Sequence, residues 1–257
     1  MKKILLSLLF VFFCALGCSK DEASEAIVDR TANLKGPGDS ANDILSDSKF
    51  KNMAIEIAYV NGFAPTEAAV SDFVALLKQH AHKDNISVTY KELASPNKDS
   101  LSIKEISDLE TKHRTVYNDG DTLGLYIYFS DAISDSDKPE ENLVTLGAVY
   151  RNTSMVIYEA TIRKLVSKSI LISIDQVEAT TLAHEAGHLF GLVNIGSPSV
   201  NDHHDPDAES HCIIAGCLMR AELQFGGGMA KILTAKNGIV PGFGVECLRD
   251  LRANGGR

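Results

Sequence analysis

The chain has 257 residues, 44 % of them hydrophobic and 23 % charged, which is enough to bury one sizeable core and excludes a disordered or fibrous protein. Its 25 Lys+Arg against 34 Asp+Glu give a net charge of -9, no footprint for a phosphate backbone, so nucleic acid is not an expected partner.

Met1-Lys2-Lys3 followed by an apolar run from Ile4 to Leu16 has the layout of an export signal, too short to span a bilayer. The run ends in Ala15-Leu16-Gly17-Cys18, similar to a bacterial lipobox, which implies cleavage after residue 17 and lipidation of Cys18. Ser19-Lys20-Asp21-Glu22 resembles the acidic signal of surface-exposed outer-membrane lipoproteins. The expectation is a cell-envelope protein that meets the membrane through its N-terminal lipid. Residues 18–48 carry few large apolar side chains and read as a flexible tether, leaving 49–257 as the folded domain.

Ile55, Ile57 and Tyr59 alternate within Met53–Val60 and predict a strand. Val70, Phe73, Val74 and Leu77 share one face of a helix that begins near Thr66. Ile86, Val88 and Tyr90 predict a second strand, and Ser102 with Glu105 forms a capping box opening a helix toward Tyr117. Thr122–Phe129 is almost continuously apolar, as a central strand is. After an acidic loop, Leu146–Tyr150 and Met155–Tyr158 suggest an edge hairpin. A long helix runs from Ser173 toward Leu192, stopping at Gly191. Strands alternating with helices imply a mixed sheet covered by helices, an α+β (mixed α/β) architecture.

That last helix carries His184-Glu185-Ala186-Gly187-His188. Residues four apart stand one turn apart on one helical face, so two imidazoles can grip one ion, while Glu185, about 100° round, reaches a water beside it. Leu182, Ala183, Ala186, Leu189 and Phe190 make the helix apolar over most of its circumference, which places the histidines in a buried space where they need partners. Zinc is the expected cofactor, one catalytic ion, with Glu185 as the general base.

Gly191 extends the string to His-Glu-x-x-His-x-x-Gly, which resembles the start of the metzincin signature. In the simplest register the third ligand falls on Asn194, a poor zinc ligand; His203, His204, Asp205 and His211 follow in the next loop. His211-Cys212-Ile-Ile-Ala-Gly-Cys217-Leu218-Met219 is similar to the string of the archaemetzincins: a third histidine followed at once by cysteine, four residues, cysteine, one residue and methionine. The resemblance implies a zincin/metzincin-like fold with an N-terminal subdomain over 49–192 and a smaller C-terminal subdomain over 193–257. It implies His211 as third ligand after an insertion at 193–210, Met219 as the methionine of the turn beneath the metal, and a peptidase activity on peptide or protein substrates.

Archaemetzincins also hold a second, structural zinc with four cysteines. The later Cys-x-x-Cys is absent here, so one ion is expected, with a Cys212–Cys217 disulfide and Cys217–Cys247 as the competing pair. Asn194 at the ordinary third-ligand register keeps a second reading open: a surface binding or adhesion lipoprotein with a structural or degenerate zinc site. The loop Asn201–Glu209, dense in carboxylates and imidazoles, reads as a solvated acidic surface.

Overall fold

The computed structural model describes residues 29–141 and 143–257. The export signal and Cys18 lie outside the described residues.

The frame is a five-stranded sheet of β1 (Asn52–Val60), β2 (Asn85–Leu93), β3 (Thr122–Phe129), β4 (Gly147–Arg151) and β5 (Ser154–Ile157), in the order β2-β1-β3-β5-β4. All neighbours are parallel except β5 and β4, which form an antiparallel pair that leaves β4 as one edge. Every residue of β3 from Leu123 to Phe129 is buried, because helices cover both faces of a central parallel strand.

Ile55, Ile57, Leu125, Ile127, Met155 and Ile157 face one side, against α2 (Glu67–His80) and α5 (Ile174–Leu189). Ala58, Tyr126, Tyr128, Val156 and Tyr158 face the other, with Ile106 of α3 (Ile103–His113). The predicted capping box of α3 is present, Ser102 N–H donating to Glu105 Oε2 at 2.9 Å. Below α5 lie a short hairpin of β6 (His204–Asp205) and β7 (Ala208–Cys212), then α6 (Gly226–Ala235) and α7 (Val245–Ala253); α4 (Glu159–Val166) precedes α5. One apolar cluster runs from Ile44 to Leu251 and includes Leu182, Leu189, Leu218, Met219 and Cys247, so the layers above and below α5 share one core.

The expected tether is corrected over its described part. Helix α1 (Ala41–Leu45) buries Ile44 and Leu45 completely, each worth roughly 1.5–3 kcal/mol of apolar burial. Asn33 is fully buried and donates to Asn118 Oδ1, Gly124 O and Thr153 Oγ1 at 2.9, 3.2 and 3.0 Å. Asn152 Nδ2 holds Ala32 O at 2.8 Å and Ser40 Oγ at 2.7 Å, and buried Lys83 donates to Asp43 O at 2.9 Å. A composition count misses this strap because buried amides do the fastening, and their value depends on partners far along the chain.

Candidate metal centre

Helix α5 is framed by local chemistry at both ends. Ser173 and Gln176 close a capping box, and Asp175 sits in the first turn, where a negative charge opposes the helix dipole. At the far end Gly191 adopts φ +74°, Gly191 N–H donates to His188 O and Leu192 N–H to Gly187 O, both at 3.1 Å. Between these caps every residue from Val177 to Leu189 is buried, so His184 and His188 have no solvent to satisfy them.

His211, from β7, completes the group. Its ring centroid is 5.3 Å from that of His184 and 5.1 Å from that of His188, which are themselves 5.0 Å apart. One ligand atom from each of the three lies within 4.8 Å of the others. His184 Nδ1 donates to Leu218 O and His211 Nδ1 to Glu209 O, both at 2.8 Å. A carbonyl only accepts, so Nδ1 carries the proton in both rings and each Nε2 presents a lone pair.

Those two Nε2 atoms, His188 Nδ1 and Glu185 Oε1 are buried without hydrogen-bond partners. Each such orphan costs about 1–3 kcal/mol, and four of them at one place are the mark of a group that binds there. Burial pushes His184 down to about 4, with nearby His211 adding to it. Burial lowers His188 well below its ordinary value and lowers His211 too. All three imidazoles are therefore neutral at pH 7, as metal ligands must be. Three neutral imidazole nitrogens fit zinc with one coordination position left over.

Glu185 is lifted to about 8 by burial, opposed by the Val149 backbone amide. Its side chain lies against edge strand β4 at Gly147, where an added Cβ would come 2.9 Å from Glu185 Cγ and 2.8 Å from Thr181 Cγ2. Met219 is fully buried against the same helix from below, its sulfur 2.1 Å from where a Cβ on Gly187 would sit. The glycine of His-Glu-Ala-Gly-His, directly before the second histidine, thus makes room for the methionine.

No protein-family model and no curated protein matches the sequence. Among solved structures the chain is similar to an archaemetzincin from Methanopyrus kandleri, with a TM-score of 0.51 and 16 % identity over 79 % of this chain and 96 % of that one. The fold is archaemetzincin-like. At that identity the likeness is one of fold, and the chemistry rests on the side chains themselves.

The other candidate ligands go elsewhere. Val193 and Asn194 take φ +58° and +65°, which turns the chain away after Gly191; Asn194 is exposed, its Oδ1 accepting from Ser199 N–H at 2.8 Å. His204 is exposed and paired with Asp202, and Asp205 Oδ1 accepts from Asp207 N–H at 3.1 Å. His203 is buried, but with Cys212 and Asp250 rather than with the α5 histidines. The Cys212–Cys217 disulfide is corrected: Cys212, Cys217 and Cys247 are all free and buried, with Cys217 and Cys247 sulfurs 3.4 Å apart.

Sequence reasoning passed over Leu218, whose carbonyl orients His184, and Gly147, which seats Glu185. A carbonyl leaves no trace in residue identity. Gly147 did leave one, a glycine inside an otherwise strand-like run, the pattern of a close approach.

Proposed function

We propose that the protein is a zinc-dependent metallopeptidase with His184, His188 and His211 as ligands and Glu185 as general base. The observation that carries it is the convergence of three neutral, buried imidazoles beside a buried carboxylate with an unpartnered oxygen. When bound, zinc supplies a Lewis acid that acidifies water and polarises a carbonyl. Glu185 Oε1 accepts the proton of the attacking water and hands it to the leaving amine, a task suited to a carboxylate whose proton affinity burial has raised toward neutrality. Leu218 O and Glu209 O fix the two ring orientations, so no side-chain search accompanies binding. The strand β4 beside Glu185 is an edge of the sheet, and an edge strand can offer backbone groups to an extended peptide.

A purely structural zinc site needs a fourth protein donor, and among the described residues this group has three. The Glu185→Gln variant keeps its zinc and its melting temperature and loses about 10²–10⁴-fold in hydrolysis of a mixed peptide library. Undiminished hydrolysis by that variant contradicts the assignment.

The proposal includes attachment to the cell envelope through lipid on Cys18, in line with Ala15-Leu16-Gly17-Cys18. Incorporation of labelled palmitate by the wild type and its loss in Cys18→Ser is the expected result; a soluble, unlabelled wild type refutes it.

A further inference from the structure

The outer edge of β4 is closed by other parts of the chain at unequal distances from Glu185. We infer that the short side, past Gly147 toward Thr145, holds only the last residues of a substrate, so that the protein removes one or two residues from the C-terminal end of an extended peptide instead of cutting inside it. The inference rests on the peptidase reading above and names the substrate of that same site: a free, unstructured C-terminal end.

Tyr158 N–H donates to Leu146 O at 2.9 Å, so alternation along the antiparallel pair of β4 and β5 turns the backbone groups of Gly147 and Val149 to the outer side. Glu185 stands against that stretch, its Cγ 2.9 Å from where a Cβ on Gly147 would sit. Just upstream the edge is already taken. Leu146 N–H donates to Gln224 O at 3.1 Å and Gly226 N–H to Val144 O at 3.0 Å, an antiparallel bridge centred on Thr145 and Phe225. An extended chain advances about 3.3 Å per residue, so about 7 Å separates Gly147 from Thr145, room for about two residues. In the other direction the next backbone bond to a segment outside the sheet is at Asn152, whose N–H donates to Lys35 O at 3.0 Å. That is roughly 16 Å from Gly147, more than twice as far.

The near closure is a fixed wall. Phe225 is the N-cap of α6, with Met229 N–H donating to Phe225 O at 2.9 Å, and Leu223, Met229 and Leu233 beside it are buried. Gly226 approaches so closely that a Cβ there would lie 2.9 Å from Val144 Cγ2. Thr145 is held as well, its N–H donating to Asp137 Oδ1 at 2.7 Å. A peptide that continued along β4 past Leu146 would have to break two backbone bonds and uncover this apolar packing.

The direction follows from the pairing. Antiparallel addition is the more stable per residue and lets one peptide residue exchange both backbone bonds with Gly147. A peptide laid antiparallel on β4 runs from Arg151 toward Gly147, so the residues that meet the wall are its C-terminal ones.

The test gives the full zinc-loaded chain mixed-sequence peptides of about ten residues, linear and cyclised head to tail, and reads the products by mass spectrometry. Expected from the linear set are single residues and dipeptides bearing the original C-terminus, with N-terminal remainders that shorten in steps. Cyclic peptides, with no end to present, are cut about 10–100-fold more slowly, the factor that breaking two backbone bonds imposes. A second readout needs no turnover: in hydrogen exchange on Glu185→Gln, added linear peptide protects the Gly147 amide and leaves the Leu146 and Gly226 amides as protected as before. Internal cleavage of cyclic and linear peptides at equal rates, release from the N-terminal end, or faster exchange at Leu146 and Gly226 on adding peptide overturns the inference and leaves the zinc assignment standing. Failure of the zinc-loaded wild type to hydrolyse any peptide overturns the peptidase reading and this inference with it.

Discussion

Gly147→Ala tests how the base is held. The added Cβ would stand 2.8 Å from Thr181 Cγ2, 2.9 Å from Glu185 Cγ and 3.1 Å from Glu185 Oε1. Carbon atoms in contact prefer about 3.5–4.0 Å, so something must retreat by roughly 1 Å. Thr181 is the stiffer neighbour, being β-branched with its hydroxyl bonded to Val177 O at 2.8 Å, so Glu185 gives way. Overpacking of this kind costs about 1–3 kcal/mol, and each kcal/mol lowers the melting temperature of a domain this size by about 2–4 °C. A displacement of about 1 Å at a catalytic group costs on the order of 10²-fold in rate. The variant is therefore expected to keep full zinc content, melt a few degrees lower and lose about 10²-fold in kcat/KM on a fluorogenic peptide. Full kcat/KM with a lowered melting temperature would show that Gly147 does not seat the base.

The buried carboxyl pair Glu159 and Glu178 gives a pH dependence of known sign. Burial and then the charge of Glu178 push Glu159 up to about 9 from an ordinary 4.5, against Arg163 beside it, and burial raises Glu178 as well. Between those two values the folded chain keeps a proton the unfolded chain has released, so stability falls as pH rises, by at most about 1.4 kcal/mol per pH unit for one proton. Glu159→Gln should flatten the melting-temperature profile between pH 6 and 9; a variant profile parallel to the wild type contradicts this. Leu45→Ala should cost about 2–5 kcal/mol in chemical denaturation, where a flexible tether would register nothing. Gly187→Ala drives a methyl into Met219 and should weaken zinc binding in a competition titration against a chelator; unchanged affinity would mean that Met219 packs there without supporting the ligands.

What was legible in the sequence was what is local. The spacing of His184 and His188, the cap at Ser173 and the stop at Gly191 are set within a few residues, and α5 follows from them. The strands of β1, β2 and β3 announce themselves by alternation or by unbroken apolar runs. The third imidazole is a different matter, because a chain leaving Gly191 through two left-handed residues at Val193 and Asn194 returns only at β7, and no short-range rule gives that register. The strap before β1 hid for the same reason, since Asn33 and Asn152 gain their value from partners scattered over the sheet. Cysteine spacing misled outright: Cys212 and Cys217 are near in sequence, yet their sulfurs are arranged with His203 and with Cys247 of α7 rather than joined to each other.

The most direct test of the central claim compares zinc content in the wild type, His211→Ala and His204→Ala, each checked for folding by circular dichroism. The account predicts that His211→Ala loses one zinc per chain and all hydrolysis, while His204→Ala matches the wild type in both. A folded His211→Ala protein that retains the full complement of zinc would contradict it.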